Sequence, residues 1–217
     1  ETDTKNRIVY IKEGKHSLNK WYSIQPNYTV ISDKGFEIDL QNEAGIISHS
    51  PLIFSGTDES PIIITSTDSS GQGLLVLSTK EKSVLDHVYF NNLSNPSKDG
   101  WELTGAVTFY ESDVSLNNCF FSNNRRGDDY LNIVRSKFDI NNTLFSEIKA
   151  DAFDADFCEG SISNSSFMQC GNDAIDISGT ILKIDNVIFD TIGDKGLSAG
   201  ENSQIVANNV KISNSEI

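Results

Sequence analysis

Four segments that nearly copy one another decide the fold: LNNCFF at residues 116–121, INNTLF at 140–145, ISNSSF at 162–167 and IDNVIF at 184–189. Two looser copies, LDHVYF at 85–90 and ANNVKI at 207–212, extend the series. The last residues of successive copies lie 31, 24, 22, 22 and 23 positions apart. The first and last positions are apolar, and the third position holds His87, Asn118, Asn142, Asn164, Asn186 and Asn209. A period this regular is the signature of a repeat architecture.

Periods near 22 occur in leucine-rich repeats and in parallel β-helices. Leucine-rich repeats need an L-x-x-L-x-L frame and a helical turn in each unit, whereas these units contain few Leu residues and no long segment with helical periodicity. They show short alternating segments separated by Ser, Asn, Asp and Gly, which is typical of strands joined by turns. The sequence therefore predicts an all-β parallel β-helix with about 22–24 residues per coil.

In such a solenoid, equivalent residues of successive coils lie about 4.8 Å apart, the ordinary spacing of neighbouring strands. Each recurring position is then a physical stack. The apolar first positions are expected to fill the interior: Leu116, Ile140, Ile162, Ile184 and Ala207. The Asn series is expected to point inward as an internal ladder of stacked amides at a bend.

The segments DAFDADF (151–157), GNDAIDISG (171–179) and GDKGLSAGE (193–201) resemble right-handed parallel β-helix proteins of the pectate-lyase-like superfamily, in particular bacterial β-helix repeat proteins. The resemblance covers residues 83–217 well and reaches back loosely through 61–77. It implies a secreted or cell-surface protein of bacterial type. A chain that begins with Glu1 rather than Met is consistent with a processed secreted protein.

One domain is expected over residues 1–217, with an N-terminal cap and first strands in 1–30, irregular early coils in 31–82 and regular coils in 83–217. A solenoid needs polar caps that block edge pairing at its ends. The repeat is still running at Ile217. We therefore expect an open C-terminal end that another domain or subunit covers.

The formal net charge of −14 argues against nucleic acid and anionic membranes as partners and leaves cations and polysaccharides, acidic or neutral, open. No apolar run approaches the roughly 18 residues that a membrane span needs. Three cysteines are too few for a disulfide framework, and their spacing does not suggest zinc.

Acidic residues recur in register with the repeat. If Phe153 and Ile175 point inward, Asp154 and Asp176 point outward in one stack, with Asp156 beside it. Two carboxylates at the coil spacing repel by roughly 3–4 kcal/mol at an effective dielectric constant near 20. The compensation is a bound cation, a raised pKa, capping of turn amides or solvation.

A calcium ion held by Asp154, Asp156 and Asp176 is one expectation, because oxygens from adjacent strands can converge on a hard cation. A solvated polar face is the alternative. Asp151 and Asp173 are possible further ligands, although capping of turn amides is the expected role for these two turn residues.

The resemblance implies a calcium-dependent polyuronate lyase or epimerase. On this hypothesis Lys195 is the catalytic base, and the substrate-binding residues are Arg125, Arg126, Arg135 and Tyr130. A structural ion pair between Lys195 and Asp173 is the competing interpretation, since nearby acids raise a lysine pKa. Two non-catalytic functions remain open as well: a carbohydrate-binding or adhesion module, and a structural spacer of a larger surface protein.

Overall fold

The computed structural model describes residues 1–215, and in this range the chain is built from strands with no helix. The strands are β1 (Thr2–Asp3), β2 (Ile8–Ile11), β3 (Gly14–Leu18), β4 (Tyr22–Ile24), β5 (Thr29–Ser32), β6 (Phe36–Leu40), β7 (Ile46–Ser48), β8 (Leu52–Ser55), β9 (Ile62–Thr65), β10 (Leu74–Leu77), β11 (Ser83–Asp86), β12 (Val88–Asn91), β13 (Ser97–Lys98), β14 (Trp101–Glu102), β15 (Gly105–Tyr110), β16 (Val114–Asn117), β17 (Phe120–Ser122), β18 (Asp129–Val134), β19 (Lys137–Asn141), β20 (Leu144–Ile148), β21 (Asp151–Asp156), β22 (Glu159–Cys170), β23 (Ile175–Ser178), β24 (Ile181–Ile192), β25 (Ser198–Ala199) and β26 (Gln204–Ser215).

Stacked coils form a β-solenoid of about nine turns, which confirms the predicted all-β solenoid fold. One wall is an eight-stranded sheet in the order β25-β23-β21-β18-β15-β10-β7-β4. The remaining walls belong to a sixteen-stranded sheet. In earlier coils two separate strands of this sheet lie on either side of a corner, whereas in later coils one long strand continues through that corner, as β22, β24 and β26 do. Strands of successive coils pair in parallel. The antiparallel pairs in the described range are β1 with β2 and β13 with β14.

The interior is the stack that the repeat predicts. Ile140 pairs in register with Leu116 and Ile162, and Ile162 with Ile184. The last residues of the repeats form a column of buried rings with centroids 4.6–5.3 Å apart: Phe90, Phe121, Phe145, Phe167 and Phe189. Burial of one such row per coil drives the winding, because a single coil has no partner for its apolar face.

The Asn ladder exists, but its side chains lie on the outside, so the expected inward orientation is wrong. Asn142 donates to Asn118 at 2.6 Å and Asn186 to Asn164 at 2.9 Å, while Asn142, Asn164 and Asn186 are exposed. The φ angles of the series, from Asn118 to Asn209, lie between 49° and 57°. Asn recurs here because it tolerates the left-handed conformation at this bend better than most residues do.

The residue that follows Asn118, Asn142, Asn164 or Asn186 occupies the buried corner instead. Thr143 Oγ1 accepts a hydrogen bond from the Cys119 backbone N–H at 3.4 Å, and Ser165 Oγ accepts one from the Thr143 N–H at 3.1 Å. A second hydroxyl row lies at another corner, where Thr180 Oγ1 accepts from the Cys158 N–H at 3.0 Å. These small side chains accept hydrogen bonds from buried backbone amides that, because of the bend, do not pair with a carbonyl of the neighbouring strand.

The two ends of the described chain differ. At the N-terminal end, β1 pairs with β2 beside an apolar cavity of about 340 Å³ whose walls include Ile24 and Phe36. In the last coil, Val210 and Ile212 pair with the buried Val187 and Phe189 but are themselves exposed. The partner expected at this end stays a prediction. Across residues 1–215 the structure contains no helix with the length and apolar character of a membrane span.

Candidate functional site

The acidic row lies on the outer face of the eight-stranded sheet. Asp154 in β21 pairs in register with Asn132 in β18 and with Asp176 in β23. The alternation that places them outward is set by Phe153 and Ile175, which are fully buried. Asp154 and Asp176 are therefore direct cross-strand neighbours, as the repeat predicts, and Asp156 lies two residues along the same face.

A second acidic row lies where these strands begin, and its members are buried: Asp129, Asp151 and Asp173. Asp151 Oδ1 accepts from the backbone N–H of Asp173 at 2.8 Å, and Asp173 Oδ1 accepts from that of Lys195 at 2.8 Å. The Asn172 side chain also donates to Asp151, at 2.6 Å. Asp151 and Asp173 thus cap turn amides of the next coil.

Asp129 breaks this pattern. The backbone N–H of Asp151 donates to the carbonyl of Asp128 at 2.8 Å, so it does not need the Asp129 carboxylate. Asp129 is 2% exposed, and its Oδ2 has no hydrogen-bond partner among the described residues. A buried carboxylate oxygen without a donor is costly when ionised, so this site favours a protonated carboxyl or a ligand.

Burial and mutual repulsion shift the carboxyl pKa values upward. The pKa of Asp154 rises to about 8, first because of burial and then because of Asp129, Asp156, Asp176 and Asp151. Burial is also the main cause at Asp129, whose pKa rises to about 7, and at Asp151, whose pKa rises to about 6. At Asp156 burial and Asp176 raise the pKa, while the Arg135 charge opposes the shift.

Asp154 therefore holds a proton at neutral pH. Asn132 fixes its orientation by donating from Nδ2 to Asp154 Oδ2 at 2.9 Å. The result is a neutral carboxylic acid, flanked by other carboxyls, on an outer face of the solenoid. A positioned acid with a pKa near the working pH is the group that general acid catalysis requires.

The calcium expectation is not matched by a preformed cage. Within residues 1–215, no three His, Cys, Asp or Glu side chains converge closely enough to hold a metal ion. Two of the five proposed ligands, Asp151 and Asp173, direct an oxygen at turn amides, and Asp154 accepts from Asn132. Calcium binding stays a prediction, and it requires these side chains to rotate.

Lys195 lies beside the second acidic row. Its ammonium contacts the Asp194 carboxylate and is 3.9 Å from Asp173 Oδ1. The hydrogen bond that the Lys195 ammonium donates to Asp194 raises the pKa of Lys195, with smaller contributions from the Asp173 and Asp176 charges. A raised pKa opposes the role of general base, so the contacts favour an ion pair.

The structure separates the expected substrate-binding residues. Tyr130 is fully buried and donates through its hydroxyl to the Ser122 carbonyl at 2.9 Å, so its assignment to substrate binding is wrong. The loop arginines brace neighbouring turns, since Nε of Arg125 bonds to Asn92 and Nε of Arg126 to Asn95.

Arg135 is the expected substrate-binding residue that the structure brings to the acidic row, because its charge acts on Asp156. Its Nη1 donates to the Tyr110 hydroxyl at 2.8 Å, and its guanidinium lies 5.5 Å from the ring centroid of Phe157. Sequence reasoning missed Phe157. The available signal was an aromatic residue at a repeat position that is occupied by Arg135 in the preceding coil and by Gly179 in the following coil.

No protein-family model matches the chain, and no curated protein matches it. Among solved structures, one described as "Crystal structure of Agl-KA catalytic domain" is 11% identical, covers 95% of this chain and 62% of its own, and has a TM-score of 0.36. Another, described as "Geobacillus virus E2 - ORF18", is 12% identical, covers 93% of this chain and 53% of its own, and has a TM-score of 0.28. The chain thus spans less than two thirds of either structure that it resembles.

Proposed function

We propose that this protein is a secreted or cell-surface, pectate-lyase-like β-helix of bacterial type that binds an extended polysaccharide along the outer face of the eight-stranded sheet and cleaves it. The observation that supports this proposal is the setting of Asp154: a half-buried acid that Asn132 orients, that pairs in register with Asp176, and whose pKa burial and the neighbouring carboxyls raise to about 8. Two neighbouring carboxyls with different environments are the usual equipment for hydrolysis of a glycosidic bond.

In this mechanism Asp154 donates its proton to the glycosidic oxygen as the bond between that oxygen and the anomeric carbon breaks. Asp176 is the neighbouring carboxylate on the adjacent strand, about 4.8 Å away, which is the short separation of a retaining pair, so it attacks the anomeric carbon and forms a glycosyl ester as the glycosidic bond breaks. Water then displaces Asp176 from the anomeric carbon while the ionised Asp154 takes the proton of that water, so both carboxyls return to their starting states. Asn132 holds Asp154 in one orientation, so its proton is directed before substrate arrives.

A calcium-dependent polyuronate lyase or epimerase is the second candidate. The crowding of Asp154, Asp156 and Asp176, whose mutual repulsion contributes to the raised pKa values of Asp154 and Asp156, favours it, because a divalent cation would relieve that repulsion. Bound calcium would polarise a substrate carboxylate and acidify the neighbouring ring proton. The raised pKa of Lys195 argues against that residue as the base.

The test is an activity panel with polygalacturonate, alginate and a neutral β-glucan, with and without calcium. New reducing ends report hydrolysis, and ultraviolet absorbance of unsaturated products reports elimination. We expect Asp154→Asn to lower the rate by at least about 100-fold, the usual contribution of a general acid. Asp139→Asn, on an exposed acid of the other sheet, is the matched control and should leave the rate unchanged.

Four outcomes separate the candidates. Hydrolysis without calcium that depends on Asp154 supports the proposal, whereas elimination that needs calcium supports the second candidate. Binding of a polysaccharide with no product of either kind would identify a non-catalytic binding or adhesion module. Absence of both binding and turnover on every polymer would refute the proposed function and leave a structural spacer.

A further inference from the structure

A column of bend residues follows the strands of the eight-stranded sheet. Its members have positive φ angles between 48° and 61°: Ser78, Glu111, Arg135, Phe157 and Gly179. They stack coil on coil, since the N–H of Arg135 donates to the Asp156 carbonyl and that of Phe157 to the Ser178 carbonyl, both at 2.8 Å. The column therefore lies directly beside the acidic face.

Phe157 is an unexpected residue at such a bend. A left-handed backbone is unfavourable for a bulky side chain, and the φ of Phe157 is 55°. The residue is also 63% exposed, so its ring gains little from burial. Burial therefore does not explain an aromatic residue here, where the backbone conformation favours Gly or Asn.

The ring is nevertheless held in place. The Arg135 guanidinium lies 5.5 Å from the Phe157 centroid and 5.9 Å from the Tyr110 centroid, and it bonds to the Tyr110 hydroxyl. On the next coil, a Cβ at Gly179 would lie 2.8 Å from Phe157 Cδ1, so the ring needs the glycine beneath it. Tyr110, Arg135 and Phe157 therefore form one contiguous stack.

The guanidinium in this stack keeps donors for a ligand. The described residues form no ion pair within 4 Å that includes Arg135, and its one side-chain hydrogen bond there goes to the neutral Tyr110 hydroxyl. A planar guanidinium with free N–H groups matches the two oxygens of a carboxylate. The C–H face of a sugar ring is apolar, so it can stack on an aromatic ring and remove apolar surface of both rings from water.

We propose that Phe157 and Arg135 form a subsite for one carboxylate-bearing pyranose ring, which stacks on Phe157 while its carboxylate meets Arg135. This inference rests on the proposed function and narrows its substrate class to an acidic polysaccharide. Phe157 follows Asp154 by three residues, at most about 10 Å of strand, so a ring held here places the adjoining chain over Asp154. Arg135 also supplies the local positive charge that an anionic chain needs on a protein of net charge −14.

The test is calorimetric titration of hexagalacturonate and of its fully methyl-esterified form, which keeps the rings but removes their charges. Wild-type protein should bind the charged hexamer at least about 10-fold more tightly. Phe157→Gly should weaken that binding at least 10-fold without lowering the melting temperature, because Gly accepts the left-handed backbone. The matched control is Gln169→Gly, an exposed position with φ of 56° on the other sheet, which should bind as wild type does.

Arg135→Lys separates charge from geometry. Lys keeps the charge but cannot form the two-point contact, so we expect most of the preference for the charged hexamer to disappear.

Equal binding of hexagalacturonate by wild type and Phe157→Gly would overturn the subsite, and so would a wild-type preference for the methyl ester. A fall in the melting temperature of Phe157→Gly with unchanged binding would assign the ring to folding. These binding results are independent of the activity panel with Asp154→Asn, which tests the proposed function separately.

Discussion

Replacing Asp154 with Asn should stabilise the protein at neutral and alkaline pH and leave it unchanged at pH 4. Burial and four neighbouring carboxyls raise the pKa of Asp154 from 3.8 to about 8. Below pH 4 the group is protonated in both the folded and the unfolded chain, so it does not change the free energy of unfolding. Between pH 4 and 8 the folded state holds a proton that the unfolded state has lost, so stability falls as pH rises.

The magnitude follows from the same pKa. One pKa unit corresponds to about 1.4 kcal/mol, so the full shift at Asp154 destabilises the ionised folded state by about 6 kcal/mol. For a chain of this length about 2–4 °C of melting temperature corresponds to each kcal/mol. Asn cannot ionise, and its side chain can still accept from Asn132. Above pH 8 the variant should therefore melt about 12–24 °C above wild type.

Differential scanning calorimetry of both proteins from pH 4 to pH 9 measures this difference. The control is Asp139→Asn. Lys82 lowers the pKa of Asp139 in the folded state, so this exposed ion pair contributes stability that is present above the ordinary Asp pKa and lost on acidification. Its removal should have a small effect of the opposite sign. If the Asp154→Asn and wild-type melting curves stay parallel from pH 4 to pH 9, the reasoning about Asp154 is refuted.

Substitutions at three further positions test the fold. Asn164→Ala should cost about 1 kcal/mol because of the left-handed backbone, whereas Asn164→Gly should match wild type in chemical denaturation; equal losses would contradict this explanation of the ladder. Thr180→Val removes the acceptor of the Cys158 N–H and should lower the free energy of unfolding by about 1–3 kcal/mol, while Thr180→Ser should retain most of that stability. A Val variant as stable as the Ser variant would exclude the hydroxyl row as a stabilising feature. Phe167→Ala opens the buried ring column and should cost about 3–5 kcal/mol, and a loss below 1 kcal/mol would mean that the column is not the core.

The coil period was predictable because the solenoid places the same requirement on one position in every turn. Each coil must present an apolar residue to the interior, so Ile140, Ile162 and Ile184 recur in step. The register of Asp154 with Asp176 follows from the same step once Phe153 and Ile175 are known to point inward.

The orientation of the Asn ladder could not be predicted from the period, because a recurring polar residue at a bend stacks equally well inside or outside. Its outward position depends on the backbone: a left-handed residue turns its side chain out, and the next residue, such as Thr143, takes the buried corner.

Tyr130 escaped prediction for a related reason. The alternation of inward and outward residues fails at the start of β18, where Tyr130 and Leu131 are both fully buried although they are adjacent. The equivalent residues of the other coils, Ala106, Ala152 and Ala174, are apolar and fully buried as well, so the recurrence of this position was the available signal. The raised pKa of Asp154 was one of several open compensations, and the structure favours it because Asp154 is half-buried beside the carboxyls of Asp129, Asp156 and Asp176.

The measurement that tests the central claim most directly is a pH titration of the aspartate side-chain carboxyl carbons by NMR, with wild type and Asp154→Asn compared to assign the resonance. We predict that one resonance, absent from the variant, titrates with a midpoint at about pH 8. If the resonance that disappears in the variant titrates below pH 5 in wild type, Asp154 is an ionised surface carboxylate at neutral pH, and the proposed acid catalyst does not exist.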